Sequence, residues 1–88
     1  GAPAASGDVS GGYNAGDNTQ HVIFRSSGGR LHELWHFLGE NASHHVDLTA
    51  AYAAPAAADR PVYYASARAP RQHVAYRGTD GHIYELLW

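Results

Sequence analysis

Short segments rich in β-branched and aromatic residues alternate with Gly, Pro, Asn and Asp along this chain of 88 residues. Segments of this length, bounded by turn-forming residues, predict β-strands joined by tight connections. The sequences Ser-Ser-Gly-Gly at 26–29 and Gly-Thr-Asp-Gly at 78–81 carry the glycines that hairpin turns need. We predict seven strands, at residues 10–14, 21–25, 31–37, 44–48, 62–66, 73–77 and 83–88.

The pattern repeats when the chain is shifted by 52 residues. The stretch HVIFRSSGGRLHELWH that begins at His21 returns as HVAYRGTDGHIYELLW from His73. The tetrapeptide Ala-Pro-Ala-Ala at 2–5 returns in the same register at 54–57. A fixed period of this size is typical of repeat architectures.

The strands divide unevenly between the two copies of the repeat. We predict a single all-β segment over 1–88, with four strands in repeat 1 (about 1–52) and three in repeat 2 (about 53–88). A four-stranded antiparallel unit at this spacing is the blade of a β-propeller, so the chain would carry about 1.75 blades. Two blades cannot close a ring, because propellers have about 4–8. Either several chains oligomerise head to tail to complete the ring, or the segment belongs to a longer repeat protein.

Two Ala- and Pro-rich stretches, at 1–6 and 50–58, have enough alanine to suggest helices. Pro3 and Pro55 lie inside them at equal phase. Proline within a helix removes a backbone hydrogen bond and clashes with the preceding turn. We therefore expect both stretches to be loops that connect strands.

Composition excludes several classes of function. Only 16% of the residues are charged and the formal net charge is −2, which lacks the basic footprint of a nucleic-acid-binding protein. No apolar run is long enough to span a bilayer, so no membrane insertion is expected. The chain has no cysteine, and a domain this small is marginal without disulfides, metal or oligomerisation.

The sequence His32-Glu33-Leu34-Trp35-His36 matches the H-E-x-x-H motif of zinc peptidases. That motif needs a helix, which places both histidines on one face to bind the metal. The second repeat carries Tyr84 and Trp88 in place of the two histidines, so the shared role of this segment is not zinc binding. The hairpin context also predicts a strand, in which residues four apart are separated by about 13 Å. We expect no catalysis, no metal and no cofactor, and keep a zinc peptidase as a remote alternative.

Arginine and glutamate recur in both repeats, together with a histidine at the start of a strand. A guanidinium and a carboxylate beside an aromatic ring suit a sugar, because the charged groups bond to hydroxyls and the ring stacks on the C–H face. The alternative is that each arginine simply pairs with the glutamate across its hairpin or between blades. The candidate ligand-binding residues are His21, Arg25, Glu33, Trp35, His73, Arg77, Glu85 and Trp88.

The segments HVAYRGTDGHIYELLW and HVIFRSSGGRLHELWH resemble the blade repeats of bacterial and fungal β-propeller lectins, most closely around the hairpin and the following aliphatic-x-Glu. Some members of that family are two-blade chains that trimerise into a six-bladed ring and bind fucose within and between blades. The resemblance implies a fucose-binding or related lectin in which Glu33 and Glu85 grip the sugar. The family's arginine aligns with His21 and His73 rather than with Arg25 and Arg77.

We therefore expect an oligomeric β-propeller lectin with glycans as its partners and sugar sites at the blade junctions. A non-catalytic propeller scaffold for protein interaction is the alternative, because the same repeats could serve only for packing.

Overall fold

The computed structural model describes residues 2–66 and 72–88, which form two antiparallel sheets and one short helix. All seven predicted strands are present, so the all-β prediction is confirmed. Sheet 1 has the order β1-β2-β3-β4 and sheet 2 the order β5-β6-β7. The strands are β1 Ser10–Asn14, β2 Thr19–Arg25, β3 Leu31–Phe37, β4 His44–Asp47, β5 Val62–Ala65, β6 Gln72–Arg77 and β7 Ile83–Leu87.

The 52-residue period is preserved in the pairing of the strands. Ser10 pairs with Ile23 in sheet 1, and Val62 pairs with Ala75 in sheet 2. The next pairs along are Ile23 with Glu33 and Ala75 with Glu85, again 52 residues apart. Residues 10–13, 20–25 and 31–35 of sheet 1 therefore have structural counterparts in β5–β7.

Each sheet has two faces, because directly opposite residues on antiparallel strands point to the same side. We call one side the glutamate face and the other the valine face. The glutamate face carries His21, Ile23, Arg25, Leu31, Glu33 and Trp35 in sheet 1, and His73, Ala75, Arg77, Ile83, Glu85 and Leu87 in sheet 2. The valine face carries Gln20, Val22, Phe24, His32, Leu34 and His36 in sheet 1, and Gln72, Val74, Tyr76, Tyr84, Leu86 and Trp88 in sheet 2.

The core lies between the glutamate face of sheet 1 and the valine face of sheet 2. Ile23 and Leu31 are completely buried on the first side, and Val74 is completely buried on the second. Leu48, from the connection that follows β4, completes the same cluster. Complete burial of one such aliphatic side chain contributes about 1.5–3 kcal/mol, so this contact is the main source of stability between the sheets. The two other faces have no sheet packed on them in the described residues.

The prediction of loop over 50–58 is wrong at its start, where helix α1 occupies Leu48–Tyr52. Asp47 caps this helix, since its side chain accepts a 3.0 Å hydrogen bond from the backbone N–H of Ala50. Ala53 ends the helix in the left-handed conformation, so Pro55 lies beyond the last turn and does not interfere. Because Leu48 joins the helix, β4 ends one residue earlier than predicted. No helix in the described ranges is long and apolar enough to cross a membrane.

Candidate functional site

A cavity of about 330 Å³ opens at the junction between the two sheets. The glutamate face of sheet 1 forms one wall, and the valine face of sheet 2 forms the other. Its polar and aromatic lining includes Asp17, His21, Glu33, Trp35, Tyr52, Gln72 and Trp88. Four of the eight sequence-predicted site residues therefore meet here: a histidine, a glutamate and both tryptophans.

A chain of three short hydrogen bonds runs along the sheet 1 wall. Oδ1 of Asp17 lies 2.5 Å from Oγ1 of Thr19, and that hydroxyl lies 2.6 Å from Nε2 of His21. Nδ1 of His21 is in turn 2.6 Å from Oε2 of Glu33. Because a carboxylate only accepts, Thr19 donates its single hydroxyl hydrogen to Asp17, and the same oxygen lies within hydrogen-bond distance of the His21 ring. The histidine is thereby fixed in orientation and in turn fixes Glu33.

Glu33 lines the cavity and has only one of its two carboxylate oxygens hydrogen-bonded within the described residues. Its residue is only 3% exposed, and Oε2 is taken by His21. Oε1 has no hydrogen-bond partner among the described residues, although Glu33 lines the cavity. Burying an ionisable group without a full set of partners is costly, so an unused oxygen at a cavity wall is suited to accept hydrogen bonds from a ligand.

Two half-buried tryptophans stand on opposite walls of the cavity. Trp35 stacks on His44 with a centroid distance of 4.3 Å and contacts Phe37 edge-on at 5.3 Å. Trp88 stacks on Tyr52 of α1 at 5.9 Å. Reciprocal backbone hydrogen bonds between Trp88 and Gln72, 2.7 and 3.0 Å long, extend the β6–β7 ladder by one residue. Each indole is therefore held by an aromatic neighbour and a strand.

Tyr63 packs behind the hydrogen-bonded chain and joins the two sheets. Its ring stacks on His21 at 5.3 Å, and its backbone N–H donates to Oγ of Ser10 at 3.0 Å. Its hydroxyl donates to Gln72 at 3.4 Å. Burial, followed by the carboxylates of Glu33 and Asp17, raises the pKa of Tyr63 to about 12. The phenol thus stays neutral next to the buried glutamate.

The two arginines lie away from the cavity and bind the Ala/Pro-rich segments instead. Nε of Arg25 donates to the carbonyl of Ala57 at 2.9 Å, and its Nη1 donates to Ser6 at 3.2 Å. Nη2 of Arg77 donates to Asp59 at 2.9 Å. The alternative that each arginine pairs with the glutamate of its own hairpin is therefore wrong, because Leu31 and Ile83 occupy the opposite positions.

The second copies of histidine and glutamate lie on the open glutamate face of sheet 2. Nδ1 of His73 is 3.5 Å from Oε1 of Glu85, whose side chain is exposed. Tyr64 donates a hydrogen bond to Oε2 of the same carboxylate and stacks on His73 at 4.5 Å with nearly parallel rings. The hydrogen bond from Tyr64 is the main cause that lowers the pKa of Glu85. This pair has the register of His21 and Glu33 but lacks an opposite wall.

The H-E-x-x-H segment forms strand β3 and not a helix. His32 is buried and stacks on Phe24, with Nε2 2.9 Å from Oγ of Ser26 and Nδ1 3.0 Å from His45. Burial lowers its pKa. Over residues 2–66 and 72–88, no three His, Asp or Glu side chains converge as a metal site.

Six of the ten residues that line the cavity were not predicted from the sequence, and three of these six are polar: Asp17, Tyr52 and Gln72. Gln72 had a usable signal, since it opens the Gln-His-Val sequence that recurs in both repeats. Asp17 reaches the cavity from the β1–β2 turn, and Tyr52 belongs to the helix that was expected to be loop. Both depend on local backbone geometry that the repeat pattern does not encode.

Comparison with known proteins gives no match: no family model, curated protein or solved structure resembles this chain significantly. The assignment of function therefore depends on the cavity and on the two exposed sheet faces.

Proposed function

We propose that this protein is a non-catalytic carbohydrate-binding lectin, with its sugar site in the cavity between the two sheets. The observation that carries the proposal is the buried Glu33, which lines a cavity with an indole on each side and has one oxygen without a hydrogen-bond partner among the described residues. The volume, about 330 Å³, is at the lower end of the range for small-molecule sites and suits a monosaccharide, fucose or a related sugar.

The chemistry of the walls matches the two kinds of surface on a sugar. A carboxylate oxygen and the amide of Gln72 bond to ring hydroxyls, and hydrogen bonds to a charged acceptor are the stronger kind. The indoles of Trp35 and Trp88 offer apolar faces for the C–H side of the ring. The hydrogen-bonded chain behind Glu33 holds this acceptor rigid before the ligand arrives, which lowers the entropic cost of binding.

We also propose that copies of the chain assemble into a closed propeller ring. The exposed faces of the two sheets support this assembly. Leu31 is 0% exposed, but its counterpart Ile83 on sheet 2 is 74% exposed. Val74 is 0% exposed, but its counterpart Val22 on sheet 1 is 39% exposed. In each pair, the buried residue lies in the contact between the sheets, and the exposed one lies on a face with no sheet on it. A second copy that repeats the internal contact would cover both exposed residues.

Side-chain volumes at the rim of the contact fit the same arrangement. Inside the chain, Gly12 of sheet 1 faces Tyr63 of sheet 2, and a Cβ added to Gly12 would lie 3.1 Å from that ring. At the junction with a second copy, the corresponding positions are Tyr64 and the second copy's Gly11. Inside the chain the tyrosine lies on the valine face and the glycine on the glutamate face, whereas at the second junction the two are exchanged. Either junction thus places one tyrosine against one glycine.

A panel of methyl glycosides, including those of L-fucose, D-galactose, D-mannose and N-acetylglucosamine, tests the lectin by titration calorimetry. We expect one or more to bind, and Glu33→Gln to weaken that binding roughly 10- to 150-fold, the value of a hydrogen bond to a charged group. Asp8→Asn, at an exposed carboxylate outside the cavity lining, is the control and should leave the Kd unchanged.

Trp35→Leu provides an independent variant, since it removes an aromatic wall without touching the buried hydrogen bonds. Its Kd should also rise by 10-fold or more. Failure of the wild-type protein to bind any glycan on an array would overturn the lectin proposal and favour the protein-interaction scaffold. Equal binding by Glu33→Gln and wild type would place the sugar elsewhere.

A further inference from the structure

We propose that each chain holds one sugar site only, and that the junction between copies is closed to sugar. This inference rests on the proposed lectin function and on the ring assembly. The second junction would join the glutamate face of sheet 2 to the valine face of sheet 1 of a second copy. Its residues follow from the 52-residue correspondence, and they differ from those of the internal cavity in three ways.

The carboxylate of the second junction is bonded by a tyrosine of its own sheet, and Nδ1 of His73 beside it makes no hydrogen bond among the described residues. Tyr64 donates to Oε2 of Glu85, and Nδ1 of His73 lies 3.5 Å from Oε1. In the internal cavity, Oε2 of Glu33 is engaged by the buried His21 instead. A sugar hydroxyl at Oε2 of Glu85 would have to displace Tyr64, so little net free energy would be gained there.

The space above the histidine is filled by the sheet's own side chain. Tyr64 stacks on His73 at 4.5 Å with an interplanar angle of 5°. Its counterpart in sheet 1 is Gly12, which has no side chain, so Tyr63 of the opposite sheet covers His21 there. The tyrosine that closes the second junction therefore belongs to the same sheet as the glutamate and binds that glutamate directly.

Neither tryptophan has an indole counterpart at the second junction. Leu87 occupies the position of Trp35, and His36 of the second copy would occupy the position of Trp88. Loss of the indoles removes the apolar platforms on which a sugar ring stacks. The two junctions thus share the glutamate and the glutamine but differ in both aromatic platforms.

The consequence is a ring with sites at alternate junctions. A glycan-coated surface would meet one site per chain, separated by a closed junction, and this spacing would decide which multivalent ligands bind several sites at once. The closed junctions would serve assembly alone, with Tyr64 and Ile83 as buried residues.

Calorimetry with the glycoside of lowest Kd in the panel tests the inference, with Glu33→Gln and Glu85→Gln as the matched pair. We expect one glycoside per wild-type chain, a 10-fold or greater loss of affinity in Glu33→Gln, and wild-type stoichiometry and Kd in Glu85→Gln. Native mass of each variant confirms that the assembly is retained.

Tyr64→Phe is a second test that keeps the aromatic packing and frees the Glu85 oxygen; its stoichiometry should remain one per chain because both indoles are still lacking. Two glycosides per wild-type chain, or loss of half of the sites in Glu85→Gln, would overturn the single-site inference while leaving the lectin function intact. Absence of binding by wild-type protein would instead overturn the lectin function itself.

Discussion

Gly29 and Ala57 meet backbone to backbone, where the hairpin of sheet 1 touches the segment that leads into sheet 2. The N–H of Ala57 donates to the carbonyl of Gly29 at 2.8 Å. Gly29 has φ +80°, and a Cβ added there would lie 2.7 Å from the carbonyl oxygen of Ala57. Gly81, its counterpart in the second repeat, has φ +86° but open space around it. Gly29 is therefore required both by its positive φ and by its close contact with Ala57, whereas Gly81 is required by its positive φ alone.

Because of this difference, substitution by alanine should lower the free energy of unfolding more at Gly29 than at Gly81. Gly81→Ala should reduce the free energy of unfolding by about 1–2 kcal/mol, the cost of a left-handed non-glycine residue. Gly29→Ala should cost about 3–4 kcal/mol, because the backbone of Ala57 must also move. Urea denaturation of both variants measures the difference. Equal losses in the two would show that the contact with Ala57 contributes nothing.

Helix α1 depends on the cap provided by Asp47. Asp47→Ala should lower the free energy of unfolding by about 1 kcal/mol, because the N–H of Ala50 loses its acceptor. Asp47→Asn is the matched control, since its amide oxygen can still accept that bond, and it should lose less. Thermal denaturation of the two variants provides the measurement, and a larger loss in Asp47→Asn would contradict the capping role.

The same carboxylate gives the cap a defined pH dependence. Hydrogen bonds from Arg30, and then from Ala50, lower the pKa of Asp47. A lowered folded-state pKa contributes stability that is present above the ordinary carboxyl pKa and is lost as the pH falls through the lowered value. The stability difference between wild type and Asp47→Asn should therefore shrink in acid.

The strands could be predicted from the sequence because their boundaries are marked locally and repeated 52 residues apart. Helix α1 could not be predicted in this way. Proline within the Ala/Pro-rich connection indicates a loop, but Pro55 follows a helix that Ala53 has already ended. The start of the helix is marked by Asp47, whose carboxylate accepts a hydrogen bond from the backbone N–H three residues later. A single capping residue is a weak signal beside an alanine-rich stretch.

The site was predictable where it depends on sheet register and unpredictable where it depends on connections. His21, Glu33 and Trp35 share a face because of strand pairing, which the hairpin already implies. Arg25 is on the same face, but its guanidinium is held by Ala57 and Ser6. Both partners come from irregular segments, where no periodic pattern indicates which residues meet.

The buried phenol of Tyr63 predicts a loss of stability at alkaline pH. Its pKa is raised from 10.0 to about 12, so the folded state holds the proton more tightly than the unfolded chain does. The resulting stability is present below pH 10 and is lost as the pH rises through about 12. Tyr63→Phe cannot titrate, so its stability relative to wild type should improve over this interval.

The measurement is denaturant unfolding of both proteins at neutral and alkaline pH. At neutral pH, Tyr63→Phe should lose about 1 kcal/mol or less, since the hydroxyl makes one long hydrogen bond to Gln72. An alkaline midpoint identical in both proteins would show that Tyr63 titrates normally.

Ile83 provides a direct test of assembly, because it is the most exposed large apolar residue in the described chain and lies on the open glutamate face of sheet 2. Placing a charge there should leave the fold of each chain intact, since the side chain contributes little to the internal core. It should prevent a second copy from packing, because an unpaired carboxylate would be buried at the junction. We therefore expect Ile83→Asp to be a folded monomer by native mass spectrometry and circular dichroism, and the wild type to be an oligomer.

Leu38→Asp is the matched control, as this exposed leucine follows β3 in a turn outside both faces, and it should keep the wild-type mass. A monomeric wild type, or an Ile83→Asp variant that retains the oligomer, would mean that the glutamate face of sheet 2 is not an interface.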